Sequence, residues 1–263
     1  MLDYKLHLGD SAQVLKTFDA ASIDLTVTSP PYDNLRTYDG YTGFDFETIA
    51  QELYRVTKPG GVVVWVVGDA TINGSETGTS FRQALYFMGC GFNCETMIYE
   101  QAGTGAKGSN YFYWQAFEFM FVFSKGQPKT SNRIADKKNV NSGATVPGRA
   151  GIDGQPKNEK AHNVGAFGVR ANVWKYNVGF ADVSDKTDHP APFPEALAGD
   201  HILSWSNPGD TVLDCFLGSG TTGKMAMKYG RNFVGIEVSA KYLAIAEQRI
   251  RNAAAQPLLF EAL

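Results

Sequence analysis

The sequence predicts an α/β fold in which helices cover both faces of a mostly parallel β-sheet, together with an irregular basic insertion. Three observations support this prediction. Short apolar, β-prone runs alternate with stretches whose apolar residues recur at helical spacing, an order typical of a parallel sheet. Residues 126–170 are rich in Gly, Asn, Lys and Pro and show no such period. The chain has 263 residues, 43% of them hydrophobic, and can therefore bury one sizeable core.

The first half of the chain begins with a β-prone run, residues 22–28, which ends at Ser29-Pro30-Pro31 because proline disrupts both helices and strand pairing. Pro59-Gly60-Gly61 then separates a predicted helix from an apolar strand. We expect the last two strands of this half to form an antiparallel pair at an edge of the sheet. The predicted elements are strands over 22–28, 62–67, 94–99 and 117–123 and helices over 46–54 and 81–88.

The second half resumes regular structure after the basic segment. Its apolar runs are short and bounded by polar or glycine-rich stretches, as expected for buried strands between helices. The predicted elements are helices over 193–205, 222–229 and 240–253 and strands over 211–214 and 233–237.

The net charge of −3 argues against a protein that coats nucleic acid by bulk electrostatics, since such binding needs many cations facing phosphates. The charge is nevertheless segregated. Residues 125–175 contain ten Lys or Arg against three Asp or Glu, a net +7, which leaves −10 for the rest. This pattern is typical of a localised polyanion contact on an acidic body.

The sequence contains no pattern typical of a membrane helix, a secretory signal or a Cys/His metal site. The apolar runs span six to eight residues, whereas a membrane helix needs roughly 20. The first residues show no secretory signal, so we expect a cytoplasmic protein without a membrane segment. Cys90, Cys94 and Cys215 form neither a C-x-x-C motif nor a Cys/His cluster, so we expect no metal site and no disulfide framework.

Residues 212–222 predict a buried strand that ends at Asp214, a turn containing Gly218 and Gly220, and the start of a helix. Such a turn lets the backbone approach a nucleotide at the carboxyl end of a parallel strand. Glu237 ends the next strand, where a carboxylate can bridge ribose hydroxyls. An ordinary strand-to-helix loop is the alternative reading. A phosphate-binding loop of the G-x-x-x-x-G-K-[ST] type is absent from the sequence.

Ser29-Pro30-Pro31-Tyr32 is the second motif with chemical meaning. An exocyclic amino group is a poor nucleophile because its lone pair is delocalised into the ring. The Ser29 hydroxyl and the Pro30 carbonyl can each accept one N–H and so aim the lone pair at a methylsulfonium. Tyr32 would stack on a base rotated out of the duplex. The alternative is a rigid proline turn with a surface tyrosine.

In these two motifs the sequence resembles the amino-methyltransferases of DNA, in the permuted motif order often called the beta class. The resemblance implies a Rossmann-like methyltransferase with a seven-stranded type of sheet, with S-adenosyl-L-methionine as cofactor and double-stranded DNA as substrate. It also implies a catalytic half over residues 1–124, a basic target-recognition insertion over 125–175 and a cofactor-binding half over 176–263.

Further site residues follow from the resemblance. Asp10 matches an element that contacts the adenine moiety of the cofactor, although it could merely cap the following helix. Phe193 and Pro194 match the motif lining the methionine end, although these prolines could simply begin a helix. The cofactor-binding residues implied are Asp10, Phe193, Pro194, Asp214, Phe216, Gly218, Ser219, Gly220, Thr221 and Glu237, and the catalytic residues implied are Ser29, Pro30, Pro31 and Tyr32.

The target base is left open between two amino groups. In the resembling family, Ser at the first motif position is commoner among cytosine-N4 enzymes, so that target is favoured and adenine N6 is the alternative. RNA or a protein amide is a third possibility. Methylation at a ring carbon is disfavoured, since no cysteine follows a proline. A non-catalytic DNA-binding module would need neither motif, and a dehydrogenase would be expected to show G-x-G-x-x-G.

The expected DNA contacts lie in the basic segment and in the loop after Tyr32. They are Arg36, Lys129, Arg133, Lys137, Lys138 and Arg149. Asp69, Trp114, Phe117 and Glu118 receive no functional role in this interpretation, the last three being read as part of an edge strand. Expected partners are a cognate restriction endonuclease and a second copy in a homodimer.

Overall fold

A computed structural model of the chain describes residues 2–32, 43–102, 113–146, 161–177 and 194–256. The chain divides into two compact units, one formed by Met1–Asn132 with Asn172–Leu263 and the other by Arg133–Ala171. The first unit contains the large sheet and all the described helices. No helix in the described ranges is long and apolar enough to cross a membrane.

The elements run in chain order as follows. The strands are β1 (Tyr4–Leu8), β2 (Ile23–Thr28), β3 (Thr57–Val67), β4 (Thr71–Ile72), β5 (Ser75–Glu76), β6 (Asn93–Ala102), β7 (Phe117–Ser124), β8 (Lys137–Lys138), β9 (Thr145–Val146), β10 (His162–Asn163), β11 (Phe167–Gly168), β12 (Val173–Asn177), β13 (Thr211–Asp214) and β14 (Asn232–Glu237). The helices are α1 (Ser11–Leu15), α2 (Phe46–Val56), α3 (Thr79–Gly89), α4 (Glu195–Trp205), α5 (Thr221–Lys228) and α6 (Ala240–Ala254).

The large sheet has eight strands in the order β1-β14-β13-β2-β3-β7-β6-β12. Only β7 runs antiparallel to its neighbours; the other pairings are parallel. The predicted α/β fold with a mostly parallel sheet is confirmed, with eight strands where the resemblance implied a seven-stranded type of sheet. The carboxyl ends of β1, β14, β13, β2 and β3 therefore lie together along one side of the sheet, here called its carboxyl edge.

The helices form two groups that pack on opposite faces. Helices α1, α2 and α3 join one core cluster with alternate residues of β3 and β7, among them Trp65, Phe121 and Phe123. Met120, directly before Phe121 in β7, contacts His201 of α4 on the other face. Helices α4, α5 and α6 contact one another there. Alternation along a strand thus supplies both layers of the core.

Strand β3 begins at Thr57, directly after α2, so the prediction that Pro59-Gly60-Gly61 precedes the strand is wrong. The register between β2 and β3 shifts between Ile23 and Leu25, and the glycines lie in this irregular stretch. The Gly60 N–H still donates to the Lys125 carbonyl over 2.7 Å. The proline–glycine run therefore lies inside the strand, as an irregularity in its pairing with β2, and does not precede the strand.

Strands β6 and β7 pair antiparallel, as predicted, but they are not the edge of the sheet. Strand β12 pairs with β6 in parallel, from Val173 opposite Ile98 to Asn177 opposite Ala102. Its side chains alternate between exposed and buried, with Trp174 and Tyr176 inside. Alternation of this kind predicts a half-buried strand.

The second compact unit, Arg133–Ala171, contains two short antiparallel ladders in its described part, β8 with β11 and β9 with β10. Arg170 forms an ion pair with Asp136 and donates through Nε over 3.1 Å to both carboxylate oxygens. The predicted lack of regular structure over 126–170 is therefore too strong. Short ladders have no amphipathic period long enough to be recognised in sequence.

Candidate active site at the carboxyl edge of the sheet

The predicted site residues of the first unit follow neighbouring parallel strands. Asp10 comes after β1, Glu237 ends β14, Asp214 ends β13 and Ser29 comes after β2. The Thr28 hydroxyl donates to Asp214 Oδ1 over 2.7 Å, although the two residues are 186 positions apart in the chain. The two motifs recognised in the sequence therefore lie side by side.

The turn after β13 has the backbone conformation that its glycines predict. Gly218 and Gly220 have φ of +52° and +81°, the left-handed region that glycine adopts without strain. A Cβ on Gly220 would lie 2.8 Å from the Cβ of Ala246, so α6 packs directly against this turn. The Gly218 N–H donates to Glu237 Oε2 over 2.8 Å, and the Ser239 N–H donates to Oε1 over 2.9 Å. The turn and the end of β14 thus form one hydrogen-bonded unit.

Two buried carboxylates dominate the electrostatics of this edge. Burial raises the pKa of Asp214 to about 6, although hydrogen bonds from Thr28, Phe216 and Thr222 favour its ionised form. Burial also raises the pKa of Glu237, against the opposing effect of three backbone N–H donors. Desolvated carboxylates of this kind can accept hydroxyl donors and stabilise a positively charged ligand.

A buried ion cluster supports the glycine turn from behind, and sequence analysis missed it. The Glu195 carboxylate accepts from Lys224 Nζ at 2.9 Å and from Arg249 at 3.2 Å. Arg249 also donates to the Ser219 carbonyl over 2.6 Å. All three charged side chains are nearly inaccessible. The cluster ties the turn to α4, α5 and α6, and its members are too widely separated in sequence to form a motif.

Ser29 and Tyr32 belong to a hydrogen-bonded chain with two further residues. Ser29 Oγ lies 3.1 Å from the Tyr32 hydroxyl, which donates to Glu118 Oε2 over 2.9 Å. Tyr99 donates to the same carboxylate oxygen over 2.6 Å. Burial raises the pKa of both phenols. Both tyrosines therefore keep their hydroxyl protons near neutral pH.

Glu118 is a residue that sequence reasoning set aside as part of an edge strand. It lies on the inner strand β7, directly opposite Tyr99 on β6. The signal in the sequence is weak but present. Glu118 is the only charged residue in the apolar run Phe117–Phe123, and an acid in a buried strand needs partners.

Asp69 was also left without a role, and the structure gives it a local one. Its carboxylate accepts from the Ser80 N–H at 2.9 Å and from the Thr77 hydroxyl at 3.2 Å. It thereby links the end of β3 to the start of α3. Gly68, just before it, is the point where a Cβ would stand 3.4 Å from the Tyr32 ring and 3.5 Å from Glu118 Cγ.

The remaining predicted residues are placed as follows. Asp10 Oδ1 accepts from the Gln13 N–H at 3.2 Å and so caps α1, as the alternative reading holds. Pro194 is the N-cap residue of α4, so that predicted helix begins at Glu195. Phe193, Arg36 and Arg149 lie outside the described residues. Lys129 is exposed in the first unit, whereas Arg133, Lys137 and Lys138 are exposed in the second. Within the described ranges no cluster of His, Cys, Asp and Glu could hold a metal ion.

Comparison with known proteins identifies relatives along nearly the whole chain. A family model for N6 and N4 methyltransferases, described as DNA methylase, matches residues 23–248. The orphan methyltransferase M.BamHII of Bacillus amyloliquefaciens is 55% identical over 239 residues, covering 88% of this chain and 89% of the relative. The DNA adenine methyltransferase YhdJ of Escherichia coli strain K12 is 31% identical, covering 92% of this chain and 81% of the relative.

Solved structures share the fold. The cytosine-N4-specific PvuII DNA methyltransferase matches with a TM-score of 0.68 at 20% identity, covering 94% of this chain and 86% of that one. The M1.HpyAVI–SAM complex matches with a TM-score of 0.61 at 23% identity, covering 94% of this chain and 99% of that one.

Proposed function

The chain belongs to the N6/N4 DNA methylase family, and on that premise we propose that it transfers a methyl group from S-adenosyl-L-methionine to an exocyclic amino nitrogen in DNA, with N4 of cytosine favoured. One observation supports this most strongly. The Thr28–Asp214 hydrogen bond joins the start of the Ser29–Tyr32 motif to the start of the glycine turn. An amino-group acceptor and a nucleotide-binding turn at one edge are what methyl transfer to nitrogen requires.

The chemistry of the edge fits the proposed cofactor. S-adenosyl-L-methionine combines ribose hydroxyls with a positively charged sulfonium, and both favour carboxylate neighbours. The two Glu237 oxygens together offer about four lone-pair sites. The Gly218, Val238 and Ser239 N–H groups therefore leave a site for a ribose hydroxyl. We propose that Asp10, Phe193, Pro194, Asp214, Phe216, Gly218, Ser219, Gly220, Thr221 and Glu237 form this site.

In the proposed mechanism the chain binds and orients the reacting amino group. Ser29 Oγ and the Pro30 carbonyl accept its two N–H groups, and the ring constraints of Pro30 and Pro31 hold both acceptors in place. The nitrogen lone pair then points away from both acceptors, toward the neighbouring turn. When bound, the cofactor would supply the electrophilic methyl group. The S–C bond would break as the N–C bond forms, and the nitrogen would release one proton to water. Tyr32 is proposed to contact the face of the flipped base.

The choice of base rests on Ser29 and on the targets of two similar proteins. Ser29 favours cytosine N4, and a cytosine-N4-specific enzyme shares the fold. The relative YhdJ is an adenine methyltransferase, so adenine N6 is the second candidate. Mass spectrometry of nucleosides from unmethylated duplex DNA, incubated with protein and cofactor, separates the two. N4-methylcytosine supports the favoured target and N6-methyladenine overturns it. Neither product on DNA, with methylation of RNA or protein in parallel reactions, overturns DNA as substrate.

We propose that Lys129, Arg133, Lys137 and Lys138, together with Arg36 and Arg149, contact the phosphate backbone. Lys129, Arg133, Lys137 and Lys138, the four of these that lie in the described ranges, are all exposed. A cognate restriction endonuclease and a homodimer stay predictions. Light scattering of the purified protein tests the second.

A further inference from the structure

We propose that Glu118 is a positioning residue for methyl transfer, which fixes the direction of the hydrogen bonds through Tyr32 so that Ser29 offers lone pairs to the substrate amino group. This inference rests on the proposed function. It adds to that function a residue on a different strand from the recognised motif. The observation behind it is the chain Tyr99, Glu118, Tyr32, Ser29, whose members come from β6, β7 and the loop after β2.

Counting protons gives the direction of each hydrogen bond. A carboxylate has only acceptors, and each tyrosine hydroxyl has one proton. Tyr32 and Tyr99 therefore both donate to Glu118 Oε2. Because the Tyr32 hydroxyl already donates its proton to Glu118, its oxygen can only accept a hydrogen bond from Ser29. The Ser29 proton is thus used on the tyrosine, and its oxygen retains lone pairs for an N–H donor.

Without the carboxylate the same geometry allows the opposite direction. Tyr32 could then donate to Ser29, whose own proton would turn toward the substrate. An amino group with two N–H donors would meet a donor instead of an acceptor, and the lone pair on nitrogen would lose its fixed orientation. Glu118 therefore affects the reaction through proton direction, without touching the base.

The fold holds this carboxylate in place from two sides. Tyr99 is the direct cross-strand partner of Glu118. A Cβ at Gly68, directly after β3, would lie 3.4 Å from the Tyr32 ring and 3.5 Å from Glu118 Cγ, so both side chains lie close to the end of β3. Burial keeps both phenols protonated, as their raised pKa indicates, so the count of protons holds near neutral pH.

A double-mutant cycle tests the inference through the single-turnover rate of methyl transfer at saturating cofactor and DNA. Glu118→Leu removes the acceptor and is expected to lower the rate about tenfold. In the Tyr32→Phe background, where the link to Ser29 is already broken, the same change should cost less than about twofold. Glu118→Gln keeps an acceptor oxygen and should restore most of the rate. Glu95→Leu, the same change at an exposed position of β6, is the matched control.

An equal loss in both backgrounds would indicate a purely structural role and would overturn the inference, as would an unchanged rate in Glu118→Leu. If Glu118→Leu does not fold, Tyr32→Phe decides alone: a drop of similar size supports the inference, and a wild-type rate overturns it. Failure of the proposed function looks different, because the wild-type protein itself would then transfer no methyl group to a DNA amino nitrogen.

Discussion

Thr28 and Thr26 lie on the same strand but differ in their hydrogen bonding. The Thr28 hydroxyl donates to the buried Asp214, whereas the Thr26 hydroxyl, in the part of the chain that the structure describes, is buried without a partner. Thr28→Val should lower the free energy of unfolding by about 1–3 kcal/mol and weaken cofactor binding, since a buried carboxylate loses a donor. Thr26→Val should be near neutral or stabilising. Urea unfolding and cofactor titration measure both, and equal effects would contradict the assigned role of Thr28.

Asp214 predicts a dependence of stability on pH. Its pKa in the folded protein is about 6, above the ordinary 3.8, so the folded state resists ionisation. Its contribution is complete below pH 3.8 and is lost as the pH rises through 6, by about 3 kcal/mol at most. Asp214→Asn removes this term. In urea unfolding between pH 4.5 and 7.5, the free energy of unfolding of the variant should increase relative to that of the wild type as the pH rises. A constant difference between the two would contradict the raised pKa.

Backbone conformation was predictable where it depended on local sequence. Gly218 and Gly220 follow a strand that ends at Asp214, and the structure gives both glycines positive φ. Glu118 depends instead on a pairing between strands and on a loop more than 80 positions away. Single-sequence patterns contain periodicity but not partners, so residues of this kind are missed.

At the scale of elements, two glycines with similar φ angles allow the cost of backbone strain to be measured apart from the cost of steric overlap. Gly220 (φ +81°) lies against Ala246 of α6, whereas Gly209 (φ +87°) has open space around its Cα. Gly209→Ala should cost about 1 kcal/mol from backbone strain alone. Gly220→Ala should cost about 2–4 kcal/mol, because the new methyl also pushes against the α6 backbone. Thermal unfolding compares them, and equal losses would contradict the close packing of α6 on the turn.

The elements themselves were largely predictable because strand and helix periods are local. The exceptions have physical reasons. Strand β12 alternates correctly but lies in a polar, basic stretch. Strand β3 continues through Pro59-Gly60-Gly61, where Gly60 and Gly61 exchange backbone hydrogen bonds with Lys125, the residue directly after β7. Tertiary pairing overrides local propensity at both places.

At the scale of the whole molecule, the exposed lysines of the second compact unit, Arg133–Ala171, predict that DNA binding depends on salt concentration. Lys137→Ala and Lys138→Ala should each weaken binding to any duplex sequence and reduce the slope of log K against log salt by about 1, if each contacts one phosphate. Lys5→Ala, an exposed lysine on the edge strand β1, is the control and should leave the slope unchanged. Fluorescence anisotropy at several salt concentrations gives these slopes. Unchanged slopes in both variants would show that neither lysine contacts a DNA phosphate.

The most direct test of the account compares how the wild type and Ser29→Ala transfer a deuterated methyl group from S-adenosyl-L-methionine to unmethylated duplex DNA. Mass spectrometry detects the labelled nucleosides, and the cofactor affinity of both proteins is measured separately. We predict labelled N4-methylcytosine from the wild type, a loss of about 100-fold in rate for Ser29→Ala, and equal cofactor affinities. No labelled amino-methylated base from a wild-type protein that binds the cofactor, or an undiminished rate in Ser29→Ala, would contradict the account.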